Sequence, residues 1–187
     1  VGDPDRMLFA FFHPAMPDDP LIFVEVALLS EVPNAIGPIL AVDRKQTDLD
    51  TDTVATFYSI SNCHAGLRGV SFGNFLIKQV VAELQKLRPN LKTFVTLSPV
   101  PGLRKWAEQS LLNGDALLSD TDKATLSELG ENDLPQDDFV TKLAARFLTQ
   151  AKSASGTAAD PVAHFHLGNG ATLLRVHPGA DQSPRGI

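Results

Sequence analysis

The densest chemical signal in the chain is the run Arg68-Gly69-Val70-Ser71-Phe72-Gly73-Asn74. It follows an expected strand and leads into an amphipathic stretch. Small residues let a backbone approach a ligand closely, and the free N–H groups that open a helix favour phosphate oxygens. Arg68 adds a positive charge beside them. Spacing alone leaves two readings open: a pyrophosphate cradle, or a strand-to-helix turn that needs glycine only for its backbone. The same residues also spell the G-x-S-x-G nucleophile elbow of hydrolases, with Ser71 in the middle. The elbow needs a strand running straight into the serine. Here the polar segment 62–68 intervenes, so the hydrolase is a minority reading, with a later Asp and His166 or His177 as its partners.

Ser98 closes a mostly apolar strand just before Pro99. Strand ends are where a chain leaves the packed layer and working groups collect, although serine also bonds turn backbone routinely. From the residue alone the plainer role is preferred. His164 and His166 stand two apart, which in an extended segment puts both on one face. Imidazole exchanges a proton near neutral pH, so the pair holds the best acid–base candidates. A partly buried histidine bonded to backbone is the competing reading. Glu25 interrupts an apolar strand and is read as solvent-facing or Arg-paired rather than as a base. Cys63 is read as a small loop or core residue and Trp106 as core.

These residues need elements to position them. Segments 7–12, 21–29, 54–61 and 91–98 read as strands, rich in apolar and β-branched residues. Phe72, Phe75, Leu76, Val80, Leu84 and Leu87 fall three or four apart and predict one helix over about 72–87, stopped by Pro89. A short helix is expected around 102–112. Residues 113–160 turn polar and Ala-rich and read as a helical insertion, with helices near 121–130 and 136–153. Segments 162–167 and 171–177 read as a strand pair around Gly168-Asn169-Gly170. This order predicts an α/β (α+β layered) fold.

Composition narrows the function. The 187 residues are enough for one domain or one and a half, and 43% of them are apolar, as in a globular chain. With 16 basic and 22 acidic side chains the net charge is −6, which argues against a large nucleic-acid surface. One cysteine excludes an internal disulfide and a multi-thiolate metal site, and fits a reducing compartment. No P-loop, HExxH or EF-hand pattern occurs, so no metal site is expected. The apolar stretches are too short to cross a bilayer, and no membrane role is expected. The chain opens at Val1 rather than Met and is expected to be a segment of something longer.

Residues 68–77 resemble the acyl-CoA loop of the GNAT acetyltransferase superfamily, with Ser71 in place of a middle glycine. A closer resemblance spans nearly the whole chain. His13-Pro14-Ala15-Met16-Pro17, Phe57-Tyr58-Ser59-Ile60-Ser61, Gly66-Leu67-Arg68-Gly69-Val70, Phe75-Leu76-Ile77-Lys78, Leu97-Ser98-Pro99-Val100-Pro101-Gly102 and residues 161–171 together resemble the C-terminal catalytic domain of the malonyl-CoA decarboxylase family. Only 113–160 matches weakly.

The resemblance implies a GNAT-like acyl-CoA-binding fold over 1–187, a mixed central sheet flanked by helices. It implies an all-helical domain before it and further chain after it. It implies malonyl-CoA as substrate, acetyl-CoA and CO₂ as products, and no cofactor. Ser98 and His166 fall on the family's catalytic positions. Arg68, Gly69, Val70, Ser71, Phe72, Gly73 and Asn74 fall on the CoA loop. Ser71 replaces an acid of the animal enzymes. A homo-oligomer is implied, in the cytoplasm or, for a eukaryotic protein, the mitochondrial matrix. An N-acetyltransferase and a noncatalytic acyl-CoA sensor are the alternatives.

Overall fold

A computed structural model describes residues 3–44, 50–67, 73–129 and 136–183, and the chain divides into two compact units, Val1–Ser98 and Pro99–Ile187. In the first unit β1 (Arg6–His13) and β2 (Met16–Leu29) form an antiparallel hairpin, with Arg6 opposite Ala27 and His13 opposite Met16. The strand β2 begins earlier than its apolar run suggests, in spite of Pro17 and Pro20. Its other neighbour, β3 (Val54–Asn62), joins only at Ile22 opposite Asn62. The prolines' missing N–H groups therefore break no bond on that side. Between β2 and β3 a one-turn helix α1 (Gly37–Leu40) buries Ile39, an element the sequence pattern did not reveal.

The helix α2 (Gly73–Leu87) crosses from β3 to β4 (Thr93–Thr96), which pairs parallel to β3. The sheet order is β1-β2-β3-β4, so three antiparallel strands carry one parallel edge strand. Val24, Val26, Leu28, Ala55 and Phe57 bury one sheet face against Val80 and Leu84 of α2 and against Leu91. Burying a side chain such as Leu84 contributes about 2 kcal/mol. Phe75 and Leu87, expected on the buried stripe of α2, are exposed, because Leu76, Val80 and Leu84 already fill that face. In β1 only alternate residues reach the core: Met7, Phe9 and Phe11 pack inward, while Leu8 and Phe12 are exposed. That is the pattern of an edge strand with one covered face.

The second unit is helical: α3 (Leu103–Leu112), α4 (Asp120–Glu128), α5 (Asp137–Gln150) and α6 (Pro161–Gly168). Its apolar interior is divided. Ala107, Leu118 and Leu143 form one cluster; Phe147, Leu148 and Ala151 form another. Trp106 stacks on Phe147 with ring centroids 5.0 Å apart, so it is a core residue as expected. Polar contacts pin the rest. Arg146 of α5 grips Asp122 of α4 with two bonds, of 2.6 and 2.8 Å, and donates to the Leu117 carbonyl at 2.9 Å. Ser119 and Asp122 form a capping box that starts α4.

The expected strand pair at the end of the chain does not form. Residues 162–167 belong to α6, and 171–177 have no regular structure. The local signals were those of a helix. Asp160 caps it, Pro161 occupies the first turn, and Gly170 at φ +87° closes it in a backbone region that favours glycine.

Candidate active site

Within the first unit the sheet opens where chemistry would be expected. The β3–β4 ladder runs from Val54 opposite Thr93 to Phe57 opposite Thr96, extended by one bond of 3.0 Å from the Leu97 N–H to the Phe57 carbonyl. β3 continues to Asn62 after the ladder has ended. At this point Glu25 faces Ser59 and Val26 faces Phe57, so Tyr58 is the extra residue of a bulge. A bulge bends its strand and sharpens the twist, which turns β3 from its course where pairing with β4 stops. Ser98 follows Leu97 directly and is half-buried. Burial and the Glu25 carboxylate raise the Tyr58 pKa, which keeps its phenol protonated at neutral pH; Arg6 and Arg44 oppose them.

The helix α2 starts at Gly73, on the chain between the parallel strands β3 and β4. Such a crossover puts the helix N-terminus at the carboxyl ends of the strands, the end where Ser98 lies and where open α/β sheets bind ligands. Of the expected CoA loop, Arg68, Gly69, Val70, Ser71 and Phe72 lie outside the described residues. Gly73 and Asn74 form the first turn of α2, whose N–H groups have no partner within the helix.

In the second unit His166 stands in the last turn of α6. The reasoning that put His164 and His166 on one face assumed an extended chain. On a helix, residues two apart leave nearly opposite sides, and accordingly His164 is exposed while His166 is half-buried. Phe165 meets the His166 ring edge-on, centroids 5.0 Å apart. Burial lowers the His166 pKa below 6.5, so the resting imidazole is neutral at pH 7. Its backbone is clamped too. The His166 carbonyl accepts from the Asn169 N–H at 3.1 Å and the Ala171 N–H at 3.0 Å. The Gly-Asn-Gly run thus ends a helix immediately after His166 instead of turning a hairpin.

Asp160 is the residue that sequence reasoning missed. Its carboxylate accepts the Ala163 N–H at 2.8 Å and sets where α6 begins. The Asp-Pro pair was the available signal. Cys63 is exposed just past β3. Among the described residues no group of three or more His, Cys, Asp or Glu is arranged to hold a metal ion, and no helix is long and apolar enough to cross a membrane.

The whole chain, residues 1–187, matches the family described as malonyl-CoA decarboxylase C-terminal domain. The chain belongs to that family. It is 37% identical to the mitochondrial malonyl-CoA decarboxylase of Anser anser anser over 98% of this chain and 42% of the goose protein. It is similar to the crystal structure of malonyl-CoA decarboxylase from Rhodopseudomonas palustris, with TM-score 0.88 and 48% identity over 98% of this chain and 44% of that one. It therefore spans less than half the length of these relatives. The loading GNATL domain of CurA from Lyngbya majuscula shares the fold at 13% identity, with TM-score 0.51 over 91% of this chain and 66% of that one. The expected GNAT-like α+β architecture, a mixed sheet with helices, is thus the one found.

Proposed function

We propose that the protein decarboxylates malonyl-CoA to acetyl-CoA and CO₂. Membership of the family over the whole chain carries this reading. Support comes from Ser98 at the open carboxyl end of the parallel strand pair, and from a half-buried neutral His166 held at a clamped helix end.

The bond that breaks joins the malonyl carboxylate carbon to the methylene carbon. Its electron pair moves into the thioester carbonyl as an enolate, so the substrate supplies its own electron sink. Protonation of the methylene carbon completes acetyl-CoA, and the reaction takes up one proton overall. The N–H groups from Arg68 to Asn74 hold the pyrophosphate in this reading. Ser98 contacts the malonyl group as its hydrogen-bonding partner; one such donor to a developing oxyanion is worth about 10²–10³ in rate. His166 gives the proton to carbon. Its imidazole rests neutral, and the arriving malonyl carboxylate favours the charged form, so substrate itself loads the donor. A homo-oligomer, in the cytoplasm or mitochondrial matrix, completes the proposal.

Mass-spectrometric product analysis of the full-length protein with malonyl-CoA tests it, alongside Ser98→Ala and His166→Ala. Acetyl-CoA from the parent and its loss from both variants are expected. Tight acyl-CoA binding without product would instead make the protein a sensor. Free CoA released from acetyl-CoA only when amines are present would make it an acetyltransferase.

A further inference from the structure

We infer that Asp160 is a positioning residue for His166: its carboxylate locks the first turn of α6 against Gly102, the residue that opens α3. Asp160 is 1% exposed. One carboxylate oxygen, Oδ1, accepts the Ala163 N–H at 2.8 Å, and the backbone carbonyl accepts the His164 N–H at 2.8 Å. The other oxygen, Oδ2, is buried with no hydrogen-bond partner among the described residues. A plain helix cap does not account for that. Serine or asparagine would satisfy the Ala163 N–H without burying a second, unmatched carboxylate oxygen.

The place of Oδ2 explains it. A Cβ built on Gly102 would lie 3.5 Å from Asp160 Oδ2, an ordinary contact distance, and 3.2 Å from Phe147 Cζ, so the carboxylate lies beside the start of α3. That helix has no side-chain cap of its own and no acidic residue in its first turn. Its unopposed N-terminal dipole favours a negative charge there. One carboxylate thus serves two helix starts, by a hydrogen bond at α6 and by charge at α3. The lock matters for His166 because no residue of α6 is fully buried: Ala163 packs against the Phe147 cluster, and the cap shares the work of holding the helix. His166 lies six positions beyond Asp160, and a tilt of α6 would move its imidazole.

The inference rests on the decarboxylase reading for its kinetic test but not for its spectroscopic one. In the full-length protein, Asp160→Asn keeps the shape and the cap and removes the charge; Asp160→Ala removes the cap as well. Both are expected to lower kcat about ten-fold or more with KM for malonyl-CoA within about two-fold. Isotope-labelled histidine spectra should show the His166 titration midpoint rising toward the free value as its burial loosens. Parent-like kcat and an unmoved His166 titration in both variants would overturn the inference. If the parent forms no acetyl-CoA, the decarboxylase reading fails, and the His166 titration alone then decides the positioning role.

Discussion

Residues 1–98 and 99–187 are stabilised in different ways. The first unit is a sheet whose one covered face and crossing helix share a single apolar cluster. The second is a set of short helices with a divided interior, held also by Arg146 on Asp122 and by Asp160 at the start of α6. A continuous apolar face tolerates local imperfection, because each contact is supported by many others. Buried or partly buried ion pairs occur in both units, Asp5 with Arg6 and Arg44 in the first, so what separates the two is the undivided apolar cluster of the first and the divided interior of the second.

The most severe way to probe the second unit is at His166 itself. His166→Ala should lower the rate of acetyl-CoA formation about 10³-fold, within the usual range for loss of a general acid. The pH profile sharpens this. The donor must be protonated, and burial lowers its pKa, so kcat/KM should rise as pH falls and break below pH 6.5. The break in kcat should lie higher, since bound substrate adds a negative charge. A flat profile would remove His166 from the proton-transfer step.

Leu84→Ala probes the first unit. Leu84 is fully buried, and its truncation should cost about 3 kcal/mol in urea unfolding. Hydrogen exchange should accelerate across the sheet as a whole, because one cluster serves every strand. Exchange confined to α2 would mean that the strands do not share one cluster.

Arg146→Ala is the matching test in the second unit. The pair is neither fully buried nor on the surface, and about 2 kcal/mol is expected, between those two cases. The Arg146 guanidinium and the Ser119 bonds hold the Asp122 carboxyl far below its usual 3.8. The unfolded chain therefore takes up this proton first as pH drops. The pair's contribution is complete above about pH 4 and fades as acid protonates Asp122, so parent and Arg146→Ala should converge in strongly acidic solution. The smallest effect belongs to Gly170→Ala. At φ +87° an alanine is strained, and a loss of about 1 kcal/mol is expected, with a larger relative fall in kcat than in stability.

Much of the first unit was legible because strands and amphipathic helices repeat their apolar residues at fixed periods. The segments 54–61 and 72–87 correspond to β3 and α2 within a residue. The start of β2 was not legible, because whether a proline is tolerated depends on a neighbouring strand that the local sequence does not show. The end of the chain departs from its expected strand pair for a related reason. Val162-Ala163-His164-Phe165-His166-Leu167 has no clear period, so composition suggested a strand, and only the Asp-Pro start and the glycine beyond it carried the helix signal.

The sequence by itself determined the family, the acyl-CoA loop pattern and the two candidate residues Ser98 and His166, because motifs several residues long and in a fixed order are local information. It also determined the periodic elements, whose apolar spacing follows from backbone geometry. Only the tertiary structure decided which histidine is shielded from water, where β3 bulges away at Tyr58, and that one buried carboxylate stands at the start of two helices. Burial, bulges and contacts between distant segments arise when the chain packs against itself, and no window of neighbouring residues contains them.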